Sequence, residues 1–308
     1  MNQKSEFEGT RLKNYGIRVF ADGARLNLDG WNMSLGNKIQ HILYVLKLCE
    51  INNFKPIIPC KSNLDNLFDW KEGIREDDKS PPVFYKEETA FSGKTILEVI
   101  SLSERQFQKH KSFLLLSGMA EDDFAVQGHF WHYELMPSIY TVEKFLGLKQ
   151  RTLDRLNAKY PSLIRANFVA VHFRGTDFKR HLKKVFPKSI MLDDFYYRKA
   201  IDEVEKYLGK NVQYHLFSDE LKTLTKIFKD KNFIIHSDNA YADWTAMFLM
   251  KNIISSNSSF AWTASLYNKN FIIQPYCGYN YHEATGPIPY GFEIPGSIQI
   301  RSNEKNHT

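Results

Sequence analysis

From residue 167 onward, short apolar runs alternate with helical segments at a spacing that leaves little choice of fold. Strands are expected at Asn167–Phe173, Val212–Phe217, Phe233–His236, Asn252–Ser256 and Phe271–Gln274, with helices near 190–208, 219–230, 240–250 and 259–268 between them. Strand–helix alternation of this kind builds a doubly wound parallel sheet covered on both faces. Phe168-Val169-Ala170-Val171 is apolar throughout, the mark of a strand buried on both sides. Gly209 is placed to stop the first of these helices. Ligands of such sheets bind beyond the carboxyl ends of the strands, so the residues that follow each strand carry the functional signal.

The half before this pattern is less regular. It offers strands at Ile17–Ala21, Lys55–Pro59 and Phe124–Phe130, a loop-rich stretch over 61–95 and a helix over 101–117. Ser34–Asn53 reads as a glycine loop leading into a helix, with Ile39, Ile42, Leu43 and Leu46 at helical spacing. Lys159-Tyr160-Pro161-Ser162 interrupts the pattern, which predicts an N-terminal domain over 1–160 and a C-terminal one over 161–308.

Composition excludes several classes. With 308 residues, 43% hydrophobic and 25% charged, the chain has the balance of a globular protein of one large domain or two. A net charge of +6, without a lysine/arginine block, argues against nucleic-acid binding. The three cysteines, Cys49, Cys60 and Cys277, show no metal-ligand spacing and fit free thiols in a reducing compartment. No run reaches the roughly 18 apolar residues of a membrane span, and the polar opening MNQKSEFEGTRLKNYG lacks a signal-peptide core. A cytoplasmic protein with at most peripheral membrane association is expected.

Residues 243–268, DWTAMFLMKNIISSNSSFAWTASLYN, read as helix, buried strand, serine pair and second helix. Ser258 and Ser259 supply cap chemistry ahead of Phe260, which gathers hydroxyls and backbone N–H groups at a spot suited to phosphate. Asp243 opens the helix beside that spot. A carboxylate accepts two parallel hydrogen bonds from the N1–H and N2–H2 donors of guanine, a pair that uracil and adenine do not offer. Two ordinary capped helices of an α/β sheet would look the same in sequence.

The strand Phe168–Phe173 runs straight into Arg174-Gly175-Thr176-Asp177. Arg174 has the geometry to grip a diphosphate bidentately and to stabilise charge on a departing nucleotide. A strand-ending Arg174–Asp177 ion pair and an interior hydrogen bond for His172 are the structural alternatives. Ser218 and Asp219 stand at the next strand tip, where Asp219 either contacts a nucleotide or caps its own helix, the commoner role. Ser34-Leu35-Gly36-Asn37 reads as a tight turn whose N–H groups suit a phosphate or sugar. No H-E-x-x-H, paired D-x-D, P-loop or G-x-G-x-x-G pattern is present, so no metal is expected and the leaving diphosphate must be neutralised by Arg174 and helix ends.

These segments occur in the order seen in the α-1,2-fucosyltransferase family and the wider GDP-fucose-dependent fucosyltransferase superfamily. Leu35-Gly36-Asn37-Lys38 resembles the family's G-L-G-N-Q loop, and Val126-Gln127-Gly128-His129-Phe130-Trp131 more loosely its G-Y-W/F-Q segment. Val171–Asp177 resembles H-x-R-R-x-D, with Gly175 in place of the second arginine. Asp243–Ala264 is similar to D-x-x-L-M…N-I-I-x-N-S-S-F-S-W-W with identical internal spacing, Ala261 and Thr263 differing. The resemblance implies a GT-B-like architecture of two Rossmann-type domains facing across a cleft, the nucleotide on the C-terminal one. It also implies metal-independent, inverting transfer from GDP-β-L-fucose to a glycan hydroxyl, with an α-1,2 linkage, in surface polysaccharide or lipopolysaccharide synthesis. Carried over by position, Arg174 holds the β-phosphate, Asp243 the guanine, and Ser258, Ser259 and Phe260 line the pocket. Gly36 and Asn37 face diphosphate and fucose, His172 orients neighbours or touches the nucleotide, and Asp177 is the nearest general base. Transfer of another GDP-sugar, of the mannose or heptose type, and non-catalytic nucleotide or glycan binding are the rival readings.

Overall fold

The computed structural model describes residues 16–18, 34–52, 55–59, 63–72, 74–76, 83–86, 108–109, 111–112, 124–127, 132–175, 192–267, 269–276 and 293–301. Two compact units divide the described residues between Lys149 and Gln150.

The N-terminal unit is built on a five-stranded sheet in the order β4-β2-β1-β6-β5. Its strands are β1 (Gly16–Arg18), β2 (Lys55–Pro59), β4 (Ile74–Glu76), β5 (Val83–Lys86) and β6 (Phe124–Gln127). Every pairing is parallel. The stretch expected to be loop-rich thus contains β4 and β5, together with β3 (Phe68–Trp70). These strands are only three or four residues long, too short for periodicity to register. β3 pairs antiparallel with β7 (Leu146–Leu148). Helix α1 (Leu35–Asn52) begins at the residue after Ser34, so Leu35-Gly36-Asn37 is its first turn and not a separate loop. Ile39, Ile42, Leu43 and Leu46 are buried as their spacing predicts, and Gln40, His41 and Tyr44 are buried with them. Glu50 near the end of α1 accepts hydrogen bonds from the Ser138 backbone N–H and the Thr141 hydroxyl, which anchors the start of α2 (Ile139–Phe145).

The C-terminal unit opens with α3 (Gln150–Lys159) and is organised by a six-stranded sheet. In chain order its elements are β8 (Phe168–Phe173), α4 (Asp194–Leu208), β9 (Gln213–Ser218), α5 (Leu221–Ile227), β10 (Phe233–His236), α6 (Ala240–Leu249), β11 (Asn252–Ile254), α7 (Ser259–Ser265), β12 (Phe271–Pro275) and β13 (Ile298–Ile300). The sheet order is β10-β9-β8-β11-β12-β13, and all five pairings are parallel. The chain winds outward from β8 in one direction, then crosses to β11 and winds outward in the other. This is the doubly wound order 3-2-1-4-5-6, with its topological switch between β8 and β11.

Burial accounts for the centre of the sheet. All six residues of β8 are buried, and Val169, Val171 and Phe173 pack with Tyr196, Tyr197, Ala200, Ile201 and Val204 of α4. Asn252 is polar in an otherwise apolar strand because its amide donates to the carbonyls of Ala166 and Phe168, at 2.7 and 2.9 Å. Asp193 caps α4, its carboxylate accepting the Tyr196 N–H at 3.1 Å. Gly209 ends that helix at φ +79°, a conformation costly for any residue with a Cβ. Strand β13, unforeseen from the sequence, follows Gly296 (φ +80°) and lies beside β12, where Gln274 Oε1 accepts from the Ile294 N–H and the Ser297 hydroxyl. No described helix is long and apolar enough to cross a membrane.

Candidate functional site

The two strands that flank the switch deliver their following residues to one place. Past β8 come Arg174 and Gly175; past β11 come Ser255 to Ser258 and then α7. Ser258 is the N-cap of α7, and its hydroxyl accepts the Phe260 N–H at 3.3 Å. Arg174 Nη1 donates to the same oxygen at 3.4 Å. An arginine and a capping serine 84 residues apart thus share one hydroxyl at the crevice where doubly wound sheets bind ligands. Ser259 is buried and its hydroxyl has no partner. Helix α7 spans seven residues, shorter than the 259–268 expected, so its dipole is small and the arginine and the hydroxyls carry the polar character of this corner.

His172 is buried at the end of β8. Its Nδ1 lies 2.7 Å from the Ser256 hydroxyl, and its ring centroid is 5.6 Å from that of Phe260. The Tyr197 hydroxyl donates to the His172 carbonyl at 2.9 Å. The interior hydrogen bond foreseen for His172 therefore exists, and it ties β8 to the serine segment.

At the neighbouring tip, the Ser218 hydroxyl accepts the Glu220 N–H at 2.8 Å. Asp219 does not cap its helix. The N-cap of α5 is Glu220, and Asp219 Oδ1 instead accepts the Gly175 N–H at 2.7 Å, linking β9 to β8 immediately beside Arg174. A local side chain caps best when a helix begins one residue later, and here the extra turn residue moves Asp219 out of register. Asp177 lies outside the described residues. Gly36 is buried and Asn37 half-buried in the first turn of α1, and the Asn37 Oδ1 is buried without a partner.

Asp243 stands in the first turn of α6, behind the N-cap Asn239, whose side chain accepts the N–H groups of Tyr241 and Ala242. One of its oxygens, Oδ1, is buried with no hydrogen-bond partner. Burial, reinforced by the charge of Asp238, pushes this carboxyl up to about 6. Helix α6 is pinned to α7 by the Trp244 indole N–H, which donates to the Thr263 hydroxyl at 3.0 Å. The residue that interrupts S-W-W therefore locks together the two helices that bear Asp243 and Ser258.

Asp238 and His236 beside Asp243, and His215 beside His236, carry no signal in the linear sequence. Asp238, between β10 and α6, accepts from Arg155 at 3.2 Å, Lys159 at 2.9 Å and the Tyr160 hydroxyl at 3.0 Å, all on or just after α3. His236 ends β10 with its ring between Tyr160 and Phe217, at 4.0 and 4.1 Å between centroids. His215 of β9 places Nδ1 2.8 Å from His236 Nε2, and burial lowers the pKa of both imidazoles, to about 4 for His215 and about 3 for His236. Only their diagonal position on adjacent strands, His236 opposite Phe217 and His215 opposite Ile234, could have paired them beforehand.

No protein-family model matches the chain, and no curated protein matches it. Among solved structures it is similar to the α-1,6-fucosyltransferase NodZ soaked with GDP-fucose, at 14% identity over 85% of this chain and 94% of that one, with a TM-score of 0.49. The fucosyltransferase NodZ from Bradyrhizobium gives 14% identity over 82% and 92%, with a TM-score of 0.46. POFUT1 in complex with GDP-fucose gives 12% identity over 96% and 100%, with a TM-score of 0.46. With all three scores below 0.5, none of these likenesses assigns a role to a residue here.

Proposed function

We propose that the chain is a metal-independent, inverting glycosyltransferase that moves L-fucose from GDP-β-L-fucose to a glycan hydroxyl. The observation that carries this reading is the meeting of Arg174 and Ser258 across the switch between β8 and β11. A guanidinium and two serine hydroxyls at that crevice suit a diphosphate, and Asp243 presents a carboxylate suited to the guanine edge.

In this reading the acceptor oxygen attacks C1 of the sugar on the face opposite GDP. The C1–O bond breaks, its electron pair passes to the β-phosphate, and Arg174 with Ser258 and Ser259 stabilises the growing charge. His172 holds Ser256 and the approach to Phe260 in place. Ser218 and Asp219 set the β9 tip, from which Asp219 fixes the Gly175 backbone and with it Arg174. Asp177 is assigned the acceptor proton as general base by motif position alone. Gly36 and Asn37 of the N-terminal unit are assigned, on the same ground, to the sugar and diphosphate, and that unit to the acceptor. An α-1,2 linkage, a role in surface polysaccharide synthesis and a cytoplasmic setting with at most peripheral membrane contact complete the proposal.

Calorimetric titration with GDP, UDP and ADP tests the donor class, and release of GDP from GDP-fucose in the presence of glycan acceptors tests the transfer. Preference for GDP that disappears in Asp243→Ala supports the reading. Equal affinity for the three nucleotides overturns it.

A further inference from the structure

Two buried polar atoms near the proposed base site lack partners, and they are complementary. One is Oδ1 of Asp243 in the first turn of α6; the other is Nδ1 of His236 at the end of β10. A ring nitrogen of His236 and a carboxylate oxygen from each of Asp238 and Asp243 lie within 4.8 Å of one another. Buried polar groups are rarely left unpaired, so two such atoms in one side-chain cluster call for an explanation, although they do not bond each other in this structure.

The surroundings narrow it. Asp238 is already served by Arg155, Lys159 and Tyr160, which makes it an unfavourable partner for the histidine and leaves little for a metal to gain there. The Nε2 of His236 is engaged by His215 at 2.8 Å, so Nδ1 is the nitrogen left for Asp243. An ionised Asp243 only accepts. It therefore needs Nδ1 to carry the proton, Nε2 to accept, and His215 to donate from its own Nδ1. The reverse arrangement would set a nitrogen lone pair against a carboxylate in a buried place. The ring stacks on Phe217 and lies tilted against Tyr160, which limits its swing out of the cluster.

We propose that His236 is the positioning residue for the base-reading carboxylate: its Nδ1–H, set by His215, bonds Asp243 Oδ1 and holds the carboxylate plane for the two adjacent donors of guanine. The inference deepens the proposed GDP-sugar reading and rests on it. The terminal torsion of an aspartate is soft, and a bidentate contact demands one orientation of it, so a fixed N–H beside Oδ1 sets that orientation before the ligand arrives. The other charged and titratable groups facing Asp243 and His236 are Asp238 after β10, Arg155, Lys159 and Tyr160 from the α3 side, and His215 of β9. Asp238 opposes ionisation of Asp243, and a neutral N–H from His236 offsets that without placing another charge in the interior.

The test compares GDP and IDP binding by calorimetry over pH 5–8 for the native chain, His236→Phe and His236→Asn. IDP lacks the N2–H2 donor, so it reports whether both donors are read. His236→Phe should weaken GDP roughly tenfold, the loss expected for a hydrogen bond to a charged group. It should also move the acid limb of GDP binding to higher pH and narrow the gap between GDP and IDP. His236→Asn, whose amide N–H stands near the place of Nδ1–H, should recover part of each. Unchanged GDP affinity and pH profile in a folded His236→Phe overturn the proposal alone. A native chain that does not prefer GDP to UDP and ADP overturns the proposed function and this inference with it. Imidazole ¹⁵N spectra of the native chain decide the matter should the variants not fold. Protonation of His236 on Nδ1 at pH 7 upholds the proposal, and protonation on Nε2 overturns it.

Discussion

Glu220 fills the space into which a side chain at Gly175 would have to grow. A Cβ at Gly175 would lie 2.5 Å from both the Cβ and the Oε2 of Glu220, and 3.1 Å from Phe173 Cε1. Glycine at this place, where the H-x-R-R-x-D motif that the segment resembles has its second arginine, is thus a packing requirement of this chain, set from the next strand tip.

Gly175→Ala should therefore destabilise the C-terminal unit by about 1–3 kcal/mol, the usual penalty for overpacking. Its relief is specific. Because the Glu220 Cβ is itself in the way, Glu220→Ala should leave the penalty in place, whereas Glu220→Gly should remove most of it. Thermal melting of the three single variants and the two doubles measures the coupling. Full relief by Glu220→Ala would show that the carboxylate alone makes the contact.

Asp243→Asn should stabilise the protein at neutral pH while it removes GDP binding. The folded carboxyl titrates at about 6, above its ordinary 3.8, so it holds its proton more tightly folded than unfolded. Its contribution to stability is fully present below about pH 4 and is lost as the pH rises through 6. At pH 7.5 the amide should gain about 1–2 kcal/mol, partial exposure being taken into account, and at pH 4 the two proteins should melt together. GDP affinity of the native chain should fall as the pH drops through 6. Melting curves and calorimetry at both pH values check these signs.

Lys269→Met should cost about 2–3 kcal/mol with little change in nucleotide affinity. The Lys269 amino group, whose pKa burial pushes well below its usual value, donates to the carbonyls of Met247, Phe248 and Met250, at 2.7, 2.8 and 2.5 Å, closing the last turn of α6. Methionine keeps the bulk but leaves those acceptors unserved where the helix dipole is negative. The affected end of α6 is opposite the end that carries Asp243, so GDP affinity well below the melting temperature should stay within about twofold.

The sequence disclosed what depends on local runs and withheld what depends on neighbours across the sheet. β8 was legible because Phe168-Val169-Ala170-Val171 is an unbroken apolar stretch, and the end of α4 because Gly209 marks it, whereas the start of α4 at the Asp193 cap was not singled out. β13 was not, since Ile298-Gln299-Ile300 is too short to alternate recognisably. Arg174, Ser258 and Asp243 stood out by chemistry following strands. The partner of Asp219 could not be foreseen, because it is a backbone N–H 44 residues away. His215, His236 and Asp238 form one cluster only after β9 and β10 pair and α3 folds over them.

Ser258 makes two bonds that substitution can separate. Its hydroxyl caps α7 through the Phe260 N–H and receives Arg174 Nη1. Ser258→Ala removes both, and should cost about 1 kcal/mol of stability, typical for a lost cap, as well as weaken GDP binding. Ser258→Asp restores the cap, since aspartate is as good an N-cap as serine, and it pairs more strongly with Arg174. Stability should return to or exceed that of the native chain. Binding should not return, because the new carboxylate occupies the guanidinium and repels a diphosphate. Melting temperature and GDP affinity must therefore move in opposite directions between the two variants. A Ser258→Asp protein that binds GDP as tightly as the native one would place the diphosphate away from Arg174 and Ser258.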